Sequence, residues 1–165
     1  MVEAGTFDED TRVEFIDGLI LDLSPKTTEH ERAIRWLLKR LVTLDLERYD
    51  IGIGAPLSLG GSEPEPDLLV LDRDVDEPYH PATAELVIEV AVSSQRRDLR
   101  IKPRLYAGAE VPVYWVIDLD GGRAVQHSEP VDGEYQRVEV VTELTAPHLG
   151  LAPIAVADVL AATAR

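Results

Sequence analysis

Residues 86–92 read Leu-Val-Ile-Glu-Val-Ala-Val, an apolar run interrupted once, by the carboxylate of Glu89. A continuous run of this length, rich in β-branched residues and followed by Ser93 and Ser94, reads as a strand buried on both faces. An ionised carboxylate is almost never fully buried without a partner, so Glu89 needs something to offset its charge. Finding that partner is the key to function.

Working outward from this strand, the pattern after Ser94 becomes helical, with Leu99, Leu105, Tyr106 and Ala109 placed to face a sheet. Pro103 is tolerated only near a helix start, so the regular helix is expected from about Arg100. Residues 112–118 then form another buried strand, and Asp120-Gly121-Gly122 and Asp132-Gly133 turn into polar, alternating strands at 123–128 and 134–141 that look like an antiparallel edge. A short helix is expected near Ala157 to Ala162.

Upstream, residues 13–23 alternate around Asp17-Gly18, a hairpin signal that puts Glu14 on its first strand. Thr27 or Thr28 can cap a helix, and Glu31 lies at capping-box spacing from Thr28. An apolar stripe from Ile34 to Leu44 carries that helix to about Tyr49. His30, in its first turn, reads as a surface or capping residue. Residues 51–59 suggest a strand weakened by glycine and proline, and after the loop at 60–66 a short buried strand opens at Asp67. The order β-β-α-β-β-β-α-β-β-β-α argues for one α/β (α+β) domain over 1–165, a mixed sheet with helices packed on it.

Composition narrows the chemistry. The chain of 165 residues has no cysteine, which excludes disulfides, thiolate zinc sites and cysteine nucleophiles. The acidic N-terminal segment lacks a signal core and no run has membrane-spanning length, so a cytoplasmic protein without membrane contact is expected. No Gly-rich phosphate loop, G-x-S-x-G elbow or metal-spaced histidine pair occurs. The formal charge of −15 disfavours DNA as a partner on the whole-chain average. Positive charge is concentrated in Arg96, Arg97, Arg100, Lys102 and Arg104, and in Arg32, Arg35, Lys39 and Arg40 on the early helix, which read as a solvated face.

What remains is a set of carboxylates on strands with a lysine nearby. If the strands of Asp67 and Glu89 are neighbours, both side chains project at one spot, and two such carboxylates repel unless a cation neutralises them. Mg²⁺ or Mn²⁺ suits all-oxygen ligation with water still attached. Lys102 would then stabilise a pentavalent phosphate or orient the attacking water, and Glu14 would support metal or water. The alternatives are structural: Glu89 paired with Arg97 or Lys102, Asp67 as a turn residue, Asp98 as a helix cap, and Glu14 as a surface partner of Arg12.

Read together, VEFIDGLILDLSP (13–25) followed by His30, EPDLLVLD (65–72) and the whole of 85–119 resemble the Uma2 family (DUF820), restriction-endonuclease-like proteins of the PD-(D/E)xK superfamily. The segment from Glu89 through Asp98, Lys102 and Tyr106 matches the family signature almost from end to end. The resemblance implies a restriction-endonuclease-like core and a Mg²⁺-dependent phosphodiester cleft, with Asp67 and Glu89 as metal-binding residues. The simplest superfamily pattern has lysine two residues after the glutamate, where this chain has Ala91; the resemblance places the lysine at Lys102. Asp98 and Glu14 match acidic positions of the family, while Val92 stands where relatives often carry a polar or acidic residue. The expected function is a Mg²⁺-dependent endonuclease, acting on DNA and, for duplex cutting, as a homodimer. The rivals are a catalytically idle binding or partner-recognition protein of the same fold and a hydrolase of small phosphoesters.

Overall fold

The structure, a computed structural model, describes residues 13–22, 26–74, 81–92 and 100–164. Asp98, Arg97, Arg12 and the acidic segments at the N-terminus and at 75–80 lie outside the described residues.

The alternating segment around Asp17-Gly18 forms a hairpin, β1 (Val13–Ile16) and β2 (Leu19–Asp22), and both turn residues take the positive φ that such a turn requires. Helix α1 (Thr28–Leu41) is capped by Thr27, whose hydroxyl accepts from the His30 N–H. Of the two threonines considered for the cap, the first takes the role. The helix ends earlier than its apolar stripe, which continues to buried Leu44. Thr43 Oγ1 donates to the Arg40 carbonyl, and the Asp45 carboxylate accepts from Glu47 N–H, so two short polar side chains compete for the backbone. Tyr49 consequently opens a strand instead of closing the helix.

Six strands form the main sheet in the order β3-β4-β5-β6-β7-β8: β3 (Tyr49–Ile53), β4 (Leu68–Asp72), β5 (Leu86–Ala91), β6 (Val113–Asp118), β7 (Arg123–Val131) and β8 (Glu134–Val141). β3 is shorter than the expected 51–59 segment because Gly54 turns the chain at φ +57°. Every neighbouring pair is antiparallel except β5 and β6, whose parallel pairing needs a crossover. Helix α2 (Lys102–Gly108) lies in that crossover, with Pro103 in its first turn. Two short strands, β9 (Glu143–Leu144) and β10 (Ile154–Ala155), pair with each other and lead into α3 (Val156–Thr163).

Alternation along the strands gives two cores. Leu68, Val70, Leu86, Ile88, Val90 and Trp115 pack with α1 and α3 on one face. Leu69, Val87, Ala91, Tyr114 and Val116 pack with Leu57, Leu59 and Tyr106 of α2 on the other. All six residues of β5 are buried, Glu89 included, as a strand apolar on both faces predicts. Glu89 shares the parity of Val87 and Ala91, so its carboxylate points toward α2.

Candidate active site

The register of β4 against β5 brings two acidic residues together. Leu68 pairs with Ile88, and one further step along the antiparallel ladder sets Asp67 opposite Glu89. The Val90 N–H donates to Asp67 Oδ2 at 2.8 Å, which fixes the Asp67 carboxyl at the entry to β4. This buried acceptor is more than a turn residue.

Glu14 arrives from the hairpin. Glu63 N–H donates to the Phe15 carbonyl at 2.7 Å, Ser62 Oγ accepts from Asp17 N–H, and Glu65 N–H donates to Glu14 Oε1 at 2.8 Å. The loop before Asp67 therefore clamps β1 and turns Glu14 inward. At 1 % exposure Glu14 is not a surface residue.

Lys102 joins them from the first turn of α2. Its ammonium donates to Glu89 Oε1 at 2.8 Å and to Glu14 Oε1 at 3.0 Å, and Glu14 Oε2 also lies 3.0 Å away, outside hydrogen-bond geometry. A lysine at a helix start opposes the helix dipole, and the two carboxylates offset that cost. Asp67, Glu89 and Lys102 are 8 %, 7 % and 4 % exposed, so solvent screens these charges little.

One ammonium among three carboxylates leaves an excess of negative charge. Burial is the largest influence on Glu89 and pushes its pKa up to about 7, with Asp67 and Glu14 adding to the rise and Lys102 opposing it. An ion pair ordinarily lowers a carboxyl pKa. Here burial prevails and Lys102 is divided between two acids. Lys102 itself is held above the usual lysine range, because the attraction of Glu89 and Glu14 outweighs its own desolvation, and it remains cationic.

Two further side chains complete the cluster. Tyr106 O–H donates to Glu89 Oε1 at 3.1 Å, and burial together with the Glu89 charge raises its pKa well above the tyrosine range, so it stays a donor. His30 Nε2 lies 3.1 Å from Asp67 Oδ1, and the ring is buried. The surface or capping role expected of His30 is thus corrected, since the N-terminus of α1 packs against Asp67. Tyr106 follows Lys102 by four residues and so shares its helix face, a spacing that could have marked it. Helical spacing alone does not distinguish His30 from other first-turn histidines; the signal that marked it was its place in the family resemblance, after residues 13–25.

The donor set is hard oxygen. Mg²⁺ characteristically takes one or two carboxylates and keeps several waters, which Asp67 and Glu89 can supply between them. Among the described residues no group of three or more His, Asp or Glu forms a ready-made metal cage. Buried Glu14 Oε2 lacks a hydrogen-bond partner, which fits an acceptor left over for water.

The mixed sheet thus carries a buried carboxylate–lysine cluster where β1, β4, β5 and α2 meet. A family model described as "Uma2: Putative restriction endonuclease" matches residues 2–158, and the chain belongs to the Uma2 family. Its fold is similar to a crystal structure titled as that of "a putative nuclease belonging to DUF820 from Anabaena variabilis ATCC 29413". The TM-score is 0.72 over 92 % of this chain and 90 % of that one, at 13 % identity, a level at which the likeness shows the fold alone. No curated protein matches the chain.

Proposed function

We propose that this protein is a Mg²⁺-dependent endonuclease that hydrolyses phosphodiester bonds in DNA. The observation that carries this reading is the bridge of Lys102 between Glu89 and Glu14, with Asp67 opposite Glu89 across the β4–β5 ladder. Buried carboxylates in excess of cations favour a divalent ion, and Asp67 and Glu89 are the residues that would hold Mg²⁺, or Mn²⁺ in its place. When bound, the ion supplies Lewis-acid polarisation of a phosphoryl oxygen and a more acidic water.

The chain's own groups do the rest. Lys102 places a fixed positive charge beside the position where negative charge grows on the phosphate, a preorganised form of stabilisation. Glu14 Oε2, ion-paired with Lys102 at 3.0 Å but without a hydrogen bond, is the acceptor that would orient a water. Tyr106 holds the Glu89 carboxylate in one orientation through its O–H, while His30 and the Val90 N–H do the same for Asp67. Cutting both strands of a duplex asks for two such sites, and hence for a homodimer.

A crystal soaked in Mn²⁺ tests the ligand set: anomalous density touching Asp67 and Glu89 supports it, and metal elsewhere or nowhere refutes it. One observation favours a binding protein that keeps the fold without cutting, namely that Lys102 is already committed to two carboxylates. Assay of plasmid nicking with Lys102→Ala as the comparison separates the two readings.

A further inference from the structure

Four of the chain's 16 basic residues, Arg32, Arg35, Lys39 and Arg40, fall in nine positions that contain no acid, within a chain of net charge −15. Three of them are exposed and Arg32 is half-buried. They line a groove of about 490 Å³ between α1 and α3, together with Trp36 and with Asp158 as its acid among the described residues. Among the described residues none of the four forms a salt bridge with a carboxylate. Arg32 Nη1 donates to the Thr163 carbonyl at 3.2 Å, which neutralises the negative end of α3. The guanidinium of Arg40 lies 4.5 Å from the centre of the Trp36 ring, and the indole is anchored on the core of this face.

A solvated helix face ordinarily mixes its charges, with acids spaced to pair with bases. Here four cations line one concavity that contains a single carboxylate, Asp158, among the described residues, and their summed field attracts anions. Arg32 and His30, two residues apart on α1, point to different sides of the helix, so the groove is a surface separate from the carboxylate cluster. We propose that the α1–α3 groove binds the phosphodiester backbone of the nucleic acid, as an anchoring surface apart from Asp67 and Glu89; the inference rests on the nuclease reading. Arg32 to Arg40 spans about 12 Å of helix axis, enough to follow roughly three to four phosphates of one strand. Guanidinium groups suit phosphate.

The test measures binding apart from cleavage. Fluorescence anisotropy of a labelled duplex oligonucleotide and of its single strand is followed against salt, without divalent metal. The paired substitution Arg35→Glu with Lys39→Glu changes exposed side chains outside both cores. It is expected to weaken binding about tenfold or more and to lower the salt slope by about two units. The control Arg73→Glu with Arg137→Glu makes the same change in net charge on other faces and is expected to leave the slope unchanged. Binding that is absent, or insensitive to Arg35 and Lys39, or equally sensitive to the control, overturns the proposal. Preferential, groove-dependent capture of poly-glutamate over the oligonucleotide also overturns it. A protein that binds DNA through the groove yet never cuts it would refute the nuclease reading while sustaining this one.

Discussion

Glu89 is a carboxyl group whose protonated form the fold favours, with burial as the main cause and a pKa near 7. A group whose folded-state pKa lies above the unfolded one contributes stability in full below the unfolded pKa, and that contribution is lost as pH climbs through the folded value. Relative to Glu89→Gln, the wild type should therefore lose on the order of 3 kcal/mol between about pH 4 and pH 8, measured from denaturant midpoints at each pH. Cation binding needs the ionised form, so the rise in melting temperature caused by Mg²⁺ should be larger at pH 8 than at pH 6. Equal shifts at both pH values would remove Glu89 from the ligand set. Lys102→Met leaves two buried carboxylates without their ammonium and should cost about 3–5 kcal/mol. Tyr106→Phe keeps the ring and removes one hydrogen bond, for about 1 kcal/mol. A smaller loss for Lys102→Met than for Tyr106→Phe would contradict the electrostatic account of the cluster.

Elements place these residues, and the sequence showed the elements more clearly than the contacts. The strand and helix order was legible because apolar period, turn dipeptides and Pro103 all pointed the same way. The end of α1 was not, because the apolar stripe runs on to Leu44 while Thr43 and Asp45 divert the backbone. Glu89 was legible as an anomaly, one charge in an apolar strand. Its neighbours were less so: a buried Tyr106 looks like core, and a first-turn His30 looks like surface, until packing sets them against Glu89 and Asp67. The cap is a test of this scale. Thr27→Ala removes the acceptor for His30 N–H and should cost about 1 kcal/mol, or roughly 2–4 °C in melting temperature. Because His30 contacts Asp67, the same substitution should also reduce the Mg²⁺-induced shift.

At the scale of the molecule, a chain with a net charge of −15 holds a cluster of acids at its centre and a basic groove on one helix pair. No helix among the described residues is long and apolar enough to cross a membrane. Mutual repulsion in so acidic a chain should make thermal stability rise as monovalent salt is increased, since screening relieves it. Binding of nucleic acid along the groove should respond in the opposite sense. The charge that argued against DNA on average is thus compatible with a localised track. The most direct measurement of the central claim is nicking of supercoiled plasmid in the presence of Mg²⁺. Wild type should convert it to open circles, with activity abolished by chelation, by Asp67→Asn and by Lys102→Ala. Wild type and Lys102→Ala behaving alike, whether both cut or neither does, would contradict it.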